Sequence, residues 1–169
     1  MKKTTLVLLS SLVFLFLSCK EAKKEVEKTT AMVEETTTQE VDAIFPKGQK
    51  GPAQFFTGDA YNYGLVPMDS TYTMLVGNVY FEPGARSNWH THAAGQILII
   101  TDGEGFHQIE GQPKEILTKG SVVKCPPNAK HWHGASPGKA MQQLYIVPNT
   151  EKGVVNWMEA VTDEQYNGN

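Results

Sequence analysis

The chain has few cysteines, no excess of basic residues, and no apolar run long enough to cross a membrane. It contains two cysteines among 169 residues, and only Cys125 falls within the segment that we assign to a folded domain. No disulfide can therefore form inside that domain, and we interpret Cys125 as a small buried core residue, with a reactive thiol as the alternative. The formal net charge of −3 argues against a basic surface for nucleic acid. The longest apolar run, residues 6–17, is too short to span a bilayer comfortably.

The first 18 residues have the pattern of an export signal. Lys2 and Lys3 give a positive start, and the apolar run follows. The segment Phe16-Leu17-Ser18-Cys19 resembles the cleavage site of bacterial lipoproteins, although leucine is commoner than phenylalanine at its first position. The resemblance implies that Cys19 is lipidated and that the lipid alone anchors the exported protein to the cell envelope, at the outer membrane. The alternatives are an ordinary secretory signal with an incidental cysteine, or an uncleaved membrane anchor.

Residues 19–44 are predicted to form a disordered tether. They consist largely of Lys, Glu, Thr and Ala, with almost no large apolar side chains. Such a segment cannot bury enough surface to offset the entropy lost on ordering. Residues 45–169 remain, and their length suits one domain with one core.

Two groups of glycines, histidines and prolines recur at defined spacings in this domain. The groups consist of Gly84, His90, His92, Gln96 and Gly103, and of Gly120, Pro126, Pro127, Asn128 and His131. Side chains alternate along a strand, so the even-numbered residues His90 and His92 share one face. Gln96 is also even-numbered and would lie on that face if the strand resumes after residue 95. His131, on a later strand, would complete a pocket of four ligands. Imidazole is the commonest metal ligand, so the spacing predicts a metal site inside a small β-barrel.

These two groups resemble the two sequence motifs of the cupin superfamily. Gln96 stands where most cupins carry a glutamate, and Asn128 replaces the last glycine of the second motif. Residues 55–166 are similar to small bacterial single-domain cupins that include manganese-dependent hydroxynitrile lyases, in which a glutamine ligand is usual. The similarity is carried by Phe55-Phe56-Thr57-Gly58, Val79-Tyr80-Phe81-Glu82-Pro83-Gly84-Ala85-Arg86, His131-Trp132-His133-Gly134-Ala135 and Val161-Thr162-Asp163-Glu164-Gln165-Tyr166.

The resemblance implies an all-β fold, the double-stranded β-helix or jelly-roll barrel, with an N-terminal arm and a short C-terminal helix. Short strand-like runs between turn residues agree with it. Strands are predicted over residues 71–82, 96–102, 105–109, 114–117, 121–125 and 140–147. We expect a tight corner at 102–105, a hairpin turn at 110–113 and a helix over 156–165. The arm, residues 55–67, could pair along an edge of its own barrel or of a neighbour's, and we expect a homo-oligomer.

The predicted metal ligands are His90, His92, Gln96 and His131. The resemblance favours manganese or iron, while mixed nitrogen and oxygen ligands leave zinc, cobalt and nickel open. With Gln96 in place of a glutamate, no protein charge offsets the ion, which makes it a stronger Lewis acid but holds it less tightly.

His133 has the same parity as His131 and is the candidate catalytic residue, as a proton carrier. It could also replace His131 as a ligand, or simply bond to a carbonyl group. His107 is expected at the surface. Strand parity predicts that the substrate cavity is lined by Gly77, Val79, Gln143 and Val147, with Leu75 and Tyr145 on the same faces. In the lyase-like cupins a histidine stands at the position of Gln143, and glutamine is no proton acceptor, so its presence here weakens the case for cyanohydrin cleavage.

The sequence therefore predicts an envelope-tethered, metal-dependent enzyme that acts on a small carbonyl or hydroxyl substrate. C–C lyase, isomerase and dioxygenase chemistry all fit a site with three histidines. The alternative is a non-catalytic lipoprotein module that binds a small ligand or a metal. The partner is a small molecule, with no nucleic acid.

Overall fold

The computed structural model describes residues 41–168, and this part of the chain is built almost entirely of β-strands. One short α-helix, α1, and one 3-10 turn at Thr150–Lys152 accompany the strands in the described residues. The strands are β1 Gln49–Lys50, β2 Phe56–Thr57, β3 Ala60–Val66, β4 Met74–Phe81, β5 Arg86–Ser87, β6 His90–Thr91, β7 Gln96–Ile109, β8 Glu115–Thr118, β9 Val122–Cys125, β10 His131–Ala135, β11 Met141–Pro148 and β12 Asn156–Trp157, and α1 is Asp163–Asn167. The all-β class predicted from the sequence is confirmed.

The strands form one curled antiparallel sheet with the order β1-β3-β4-β11-β7-β10-β5-β2. The first part of β7 pairs with β9 and β11, and its second part pairs with β8 and β10. Because β7 takes part in both walls, it bends the sheet back on itself and encloses one core. This is the predicted jelly-roll architecture.

A β-bulge inside β7 replaces the corner that the sequence predicted at residues 102–105. The pairing with β11 shifts register at Thr101, because Ile100 pairs with Gln143 and Asp102 already pairs with Gln142, and Gly103 two residues later has φ +84°. A Cβ at Gly103 would lie 2.0 Å from the carbonyl oxygen of Ala140, so only glycine fits. The extra residue lets the strand bend without ending, and it exchanges the two faces of the strand. Ile100 faces the core before the bulge and His107 faces it afterwards, although their parities differ.

The hairpin turn predicted at 110–113 is confirmed, because it joins β7 to β8. The sequence did not resolve the arm into strands, yet β3 pairs with β4 and β1 pairs with β3. The arm thus lies on the edge of its own barrel. Assembly with a second copy stays a prediction.

The predicted helix over residues 156–165 is wrong for its first half. Asn156 and Trp157 form β12, which pairs with β6. The helix begins only after Thr162, whose side chain accepts a hydrogen bond from the backbone N–H of Gln165 in a capping box. The apolar spacing fits a helix, but so short a helix is marginal in isolation, and pairing with β6 satisfies the same backbone groups.

The described residues form three apolar clusters, and the two largest hold the barrel and the C-terminal helix together. The main core fills the barrel and includes Phe81, Leu98, Ile100 and Met141, which are almost fully buried, together with Cys125, as predicted. Outside the barrel wall, a second cluster consists of Trp89, Trp132, Val161 and Tyr166. Arg86 lies over the ring of Tyr166 and bonds to Asp163, so the second cluster fastens the C-terminal helix to the barrel.

Tyr166→Phe is expected to reduce the free energy of unfolding by about 1–1.5 kcal/mol. The Tyr166 hydroxyl donates a buried hydrogen bond of 2.6 Å to the carbonyl oxygen of Ala135, and its loss leaves that carbonyl unpaired. Urea unfolding measures the change. Tyr72→Phe, at an exposed ring, is the matched control and should have almost no effect. Equal effects of the two variants would contradict the prediction.

The signal at 1–18, the lipidation site Cys19 and most of the tether lie outside the described residues. Residues 41–44, which the sequence assigns to the tether, contact the domain. Val41 packs against Tyr80 and Ala140, and the Gln142 side chain bonds to the backbone of Ile44 and Phe45. Within residues 41–168, no helix has the length and hydropathy needed to cross a membrane.

Candidate metal centre and cavity

Strand pairing brings the two predicted histidine motifs together. In the register of β6 and β10, His90 lies directly opposite His131. His92 follows two residues after His90, on the same face of the chain. Each of the three residues offers a ring nitrogen, and these atoms all lie within 4.8 Å of one another. The three side chains are buried inside the barrel. The structure thus assembles the predicted trio from two distant segments of the chain.

Backbone carbonyl groups fix the proton on each of these three rings. The Nδ1–H groups of His90, His92 and His131 donate to the carbonyl oxygens of Asn88, Val154 and Ala129, respectively. A carbonyl only accepts, so the ring proton of each neutral imidazole lies on Nδ1 and the lone pair on Nε2. The Nε2 atom of His92 is buried and has no hydrogen-bond partner. Three Nε2 lone pairs are therefore free to bind a cation.

The three rings are held neutral by their surroundings. Burial lowers the pKa of His90 well below its usual value, and the neighbouring His131 lowers it further. Burial also lowers the pKa of His92, and it lowers the pKa of His131 to about 3. Neutral imidazole is the form that binds metals, because a protonated ring has no free lone pair.

Gln96 lies beside the histidine trio, as the sequence predicted. Its Oε1 atom is 3.1 Å from Nε2 of His131. Since the proton of His131 lies on Nδ1, this contact sets two lone pairs against each other with no hydrogen between them. A shared cation would relieve that repulsion, and three nitrogens with one amide oxygen form a donor set suited to a divalent metal. The residues present therefore fit the metal that the fold implies.

An apolar cavity of about 140 Å³ adjoins two members of the trio, His90 and His92. His90, His92 and Gln96 form its polar end, and the walls are made of Phe56, Leu75, Val79, Tyr145, Val147 and Trp157. One hydrogen bond lies in the wall: the Asn62 side chain donates to the Tyr145 hydroxyl at 3.2 Å. An engineered cavity of about 150 Å³ holds one benzene molecule, so this space suits a small ring or a shorter chain.

Two of the four predicted cavity residues line this space and two lie beside it. Val79 and Val147 are on the wall. Gly77 is covered by Tyr145, since a Cβ there would lie 2.3 Å from the Tyr145 hydroxyl oxygen. Gln143 is fully buried against His133 instead of facing the cavity.

His133 lies on the cavity wall, outside the trio that offers ligand nitrogens. Its Nδ1 atom is 2.9 Å from Nε2 of Gln143. In this arrangement the amide donates, so the proton of neutral His133 lies on Nε2. The other amide atom, Oε1, is buried without a hydrogen-bond partner. Burial lowers the pKa of His133 well below its usual value.

The expectation that His107 lies at the surface is wrong. The side chain is 1% exposed, and its Nε2 is 3.3 Å from Sγ of Cys125. Its Nδ1 faces Glu115 at 3.4 Å. The bulge at Thr101 turns His107 inward, and strand alternation counted without the bulge cannot reveal this. Burial raises the pKa of Cys125 to about 12, so the thiol is protonated and inert, as the core interpretation requires.

The sequence missed the contribution of the C-terminal segment to the site. Val154, Val155 and Trp157 line the cavity, and the Val154 carbonyl holds His92. The adjacent β-branched residues of this segment are the available signal, since they favour a strand over a helix. A backbone carbonyl itself has no sequence signature.

Comparisons with known proteins agree with this geometry. The family model for the cupin domain matches residues 77–147. The (R)-mandelonitrile lyase of Granulicella tundricola is 47% identical over 117 residues, which are 69% of this chain and 89% of that protein. A cupin-like protein from Thermotoga maritima is 45% identical, with a TM-score of 0.72 over 75% of this chain and 96% of the other. The DMSP lyase DddQ from Ruegeria pomeroyi shares the fold at 19% identity, with a TM-score of 0.54 over 72% of this chain and 62% of that one. This chain belongs to the cupin family.

Proposed function

We propose that this protein is a metal-dependent lyase that cleaves or forms a C–C bond next to a small carbonyl or hydroxyl group. One observation carries the proposal: three free imidazole nitrogens lie within 4.8 Å of one another, where the protein also presents an apolar cavity. A divalent metal held there would act as a Lewis acid on a substrate oxygen. The lyase type is supported by the relative named as a mandelonitrile lyase.

Manganese or iron is the proposed metal, with His90, His92, His131 and Gln96 as its ligands. The donor set contains no anionic group, so the site keeps the full charge of the ion. Such a site favours substrates that carry or develop negative charge on oxygen or on a leaving group such as cyanide. The apolar walls would hold the remainder of the substrate and exclude water.

His133 is the proposed proton carrier. In the cleavage of a cyanohydrin, the hydroxyl proton leaves, the bond to the nitrile carbon breaks, and its electron pair departs with cyanide. The same proton is then given to cyanide, so the products are an aldehyde and hydrogen cyanide. In the structure the amide nitrogen of Gln143 faces Nδ1 of His133. Rotation of that amide would place Oε1 of Gln143 against Nδ1–H of His133. Nε2 of His133 would then be free to take and return the proton. His133 thus supplies the base that Gln143 itself does not.

Mandelonitrile turnover after manganese loading tests the proposal. We expect benzaldehyde release by the loaded protein and none after the metal is removed with a chelator. His133→Asn should lower kcat by about 100-fold or more, because a positioned base contributes about 10²–10⁴-fold, while the affinity for Mn²⁺ is retained.

Three results would contradict the lyase proposal. Turnover that does not depend on metal would remove the Lewis acid from the reaction. Oxygen uptake with a catechol or a diketone under iron, without lyase activity, would indicate a dioxygenase. Unchanged binding of an organic ligand by His90→Ala, with no turnover of any kind, would favour the non-catalytic binding module.

We also propose that Cys19 is lipidated, that the protein is tethered to the outer membrane of the cell envelope, and that it forms a homo-oligomer. The tetrad that ends at Cys19 and the composition of the tether support the first two points. The aromatic arm on the barrel edge supports the third. Mass spectrometry of the mature N-terminus and sedimentation analysis are the measurements, and an unmodified cysteine or a monomer would refute the respective point.

A further inference from the structure

The segment of residues 153–158, here called the C-terminal strap, is bound to the strand that carries the first histidine. Within it, Trp157 lies opposite His90 in the pairing of β12 with β6. The backbone N–H of Met158 donates to the carbonyl oxygen of Trp89 at 2.9 Å. The strap is therefore held by the backbone groups that flank a predicted ligand.

The strap also contacts two of the three histidines directly. The carbonyl oxygen of Val154 accepts the Nδ1–H hydrogen bond of His92, which directs the Nε2 lone pair to the trio. The Trp157 ring lies against His90, with 4.9 Å between ring centroids. On its other side, Trp157 stacks on Phe55 of the arm at 4.7 Å.

The same residues form one wall of the cavity. Val154, Val155 and Trp157 all line it, opposite the walls that β4 and β11 provide. A displacement of the strap would therefore open the cavity, release the ring of His92 and remove the packing on His90. One short segment therefore contacts both the histidine ligands and the apolar cavity.

We propose that the C-terminal strap is a positioning element that couples metal retention to closure of the cavity. This rests on the proposed function, since it requires the metal site. The docked strap holds His92 and His90 in the ligating arrangement, and a bound metal in turn favours the docked strap. Outer-shell partners that orient a ligating histidine typically change metal affinity by about 10–100-fold.

Gly153 provides a clean way to disturb the strap. Its backbone has φ 110° and ψ 147°, a region that only glycine adopts readily. A Cβ there would meet no atom within 4 Å, so Gly153→Ala adds backbone strain without a clash. Gly120 is a matched control, since it has φ +90° and equally open surroundings in a turn that does not line the cavity.

Calorimetric titration of the full-length protein with Mn²⁺ alone provides the test. We expect Gly153→Ala to weaken Mn²⁺ binding by about 10–100-fold, and Gly120→Ala to leave the affinity unchanged although both variants lose thermal stability. In addition, ¹⁵N spectra of the metal-free protein should show His92 protonated on Nδ1 in the wild type and in Gly120→Ala, but in a tautomer mixture in Gly153→Ala.

Trp157→Leu provides a second variant if Gly153→Ala does not fold. It removes the stacking on Phe55 and the contact with His90 without straining the backbone, and it should weaken Mn²⁺ binding in the same direction. Wild-type affinity in Gly153→Ala or in Trp157→Leu would overturn the coupling but leave the metal site intact. A wild-type protein that binds no divalent metal would overturn the metal site as well.

Discussion

His131→Ala is expected to weaken Mn²⁺ binding by about 100-fold or more and to abolish turnover. Loss of a group that only orients a ligand costs about 10–100-fold, so loss of the ligand itself costs at least as much. His131 comes from a different segment than His90 and His92, and its ring packs against His90 with 4.3 Å between centroids. Calorimetric titration of the chelator-treated variant with Mn²⁺ measures the effect.

The matched control for this ligand loss is His107→Gln. His107 is equally buried and its ring lies 5.7 Å from that of His131, but its Nε2 faces Cys125 rather than the other rings. Its replacement should cost stability and leave Mn²⁺ affinity close to that of the wild type. Gln96→Glu should instead increase the affinity for Mn²⁺, because a carboxylate offsets one charge of the ion. Equal affinities of His131→Ala and the wild type would refute the proposed ligand set.

Trp132→Ala is expected to lower the free energy of unfolding by about 3–5 kcal/mol, the range for truncating a buried large aromatic side chain. Trp132 is fully buried, lies edge-to-face against Trp89 at 6.5 Å, and contacts Tyr166 at 5.8 Å. Its indole N–H donates to Gln108 at 3.0 Å, so truncation also leaves an amide oxygen without its partner. A domain of this size has a total stability of about 5–15 kcal/mol, so the variant should be close to unfolding.

Urea unfolding measures this loss of free energy. An m-value equal to that of the wild type would show that both proteins unfold in the same two-state transition and can be compared. Ile116→Ala is the control, because Ile116 is 71% exposed on a strand of the same barrel. Its effect should stay within about 0.5 kcal/mol. A loss below about 1 kcal/mol for Trp132→Ala would show that the cluster outside the barrel wall does not support the fold.

Local spacing was sufficient to predict the histidine trio. His90 lies in β6 and His92 follows directly after that strand, and alternation along the extended backbone places both on the inner face. The motif around His131 marks the start of a second strand, and its register with β6 then follows from the family's fold. The neighbouring amide of Gln96 was found by the same alternation.

The same reasoning failed wherever alternation was interrupted or pairing was long-range. The bulge at Thr101 shifts the inner face of β7 by one residue, so strand alternation placed His107 outside although it is buried. The first half of the predicted C-terminal helix is a strand, because β6 offers backbone partners that lie more than sixty residues away in sequence. A hydrophobic period alone does not contain that information.

The sequence by itself determined the barrel class, the inert core thiol and the side chains that converge as candidate ligands, because each follows from residue type and near-neighbour spacing. Only the tertiary structure decided how these side chains are held. The carbonyl of Val154 orients His92, Gln143 turns from the cavity to His133, and the C-terminal strap closes the cavity wall. These contacts involve backbone atoms or residues far apart in the chain, and their formation depends on the free energy of the whole fold rather than on any local pattern.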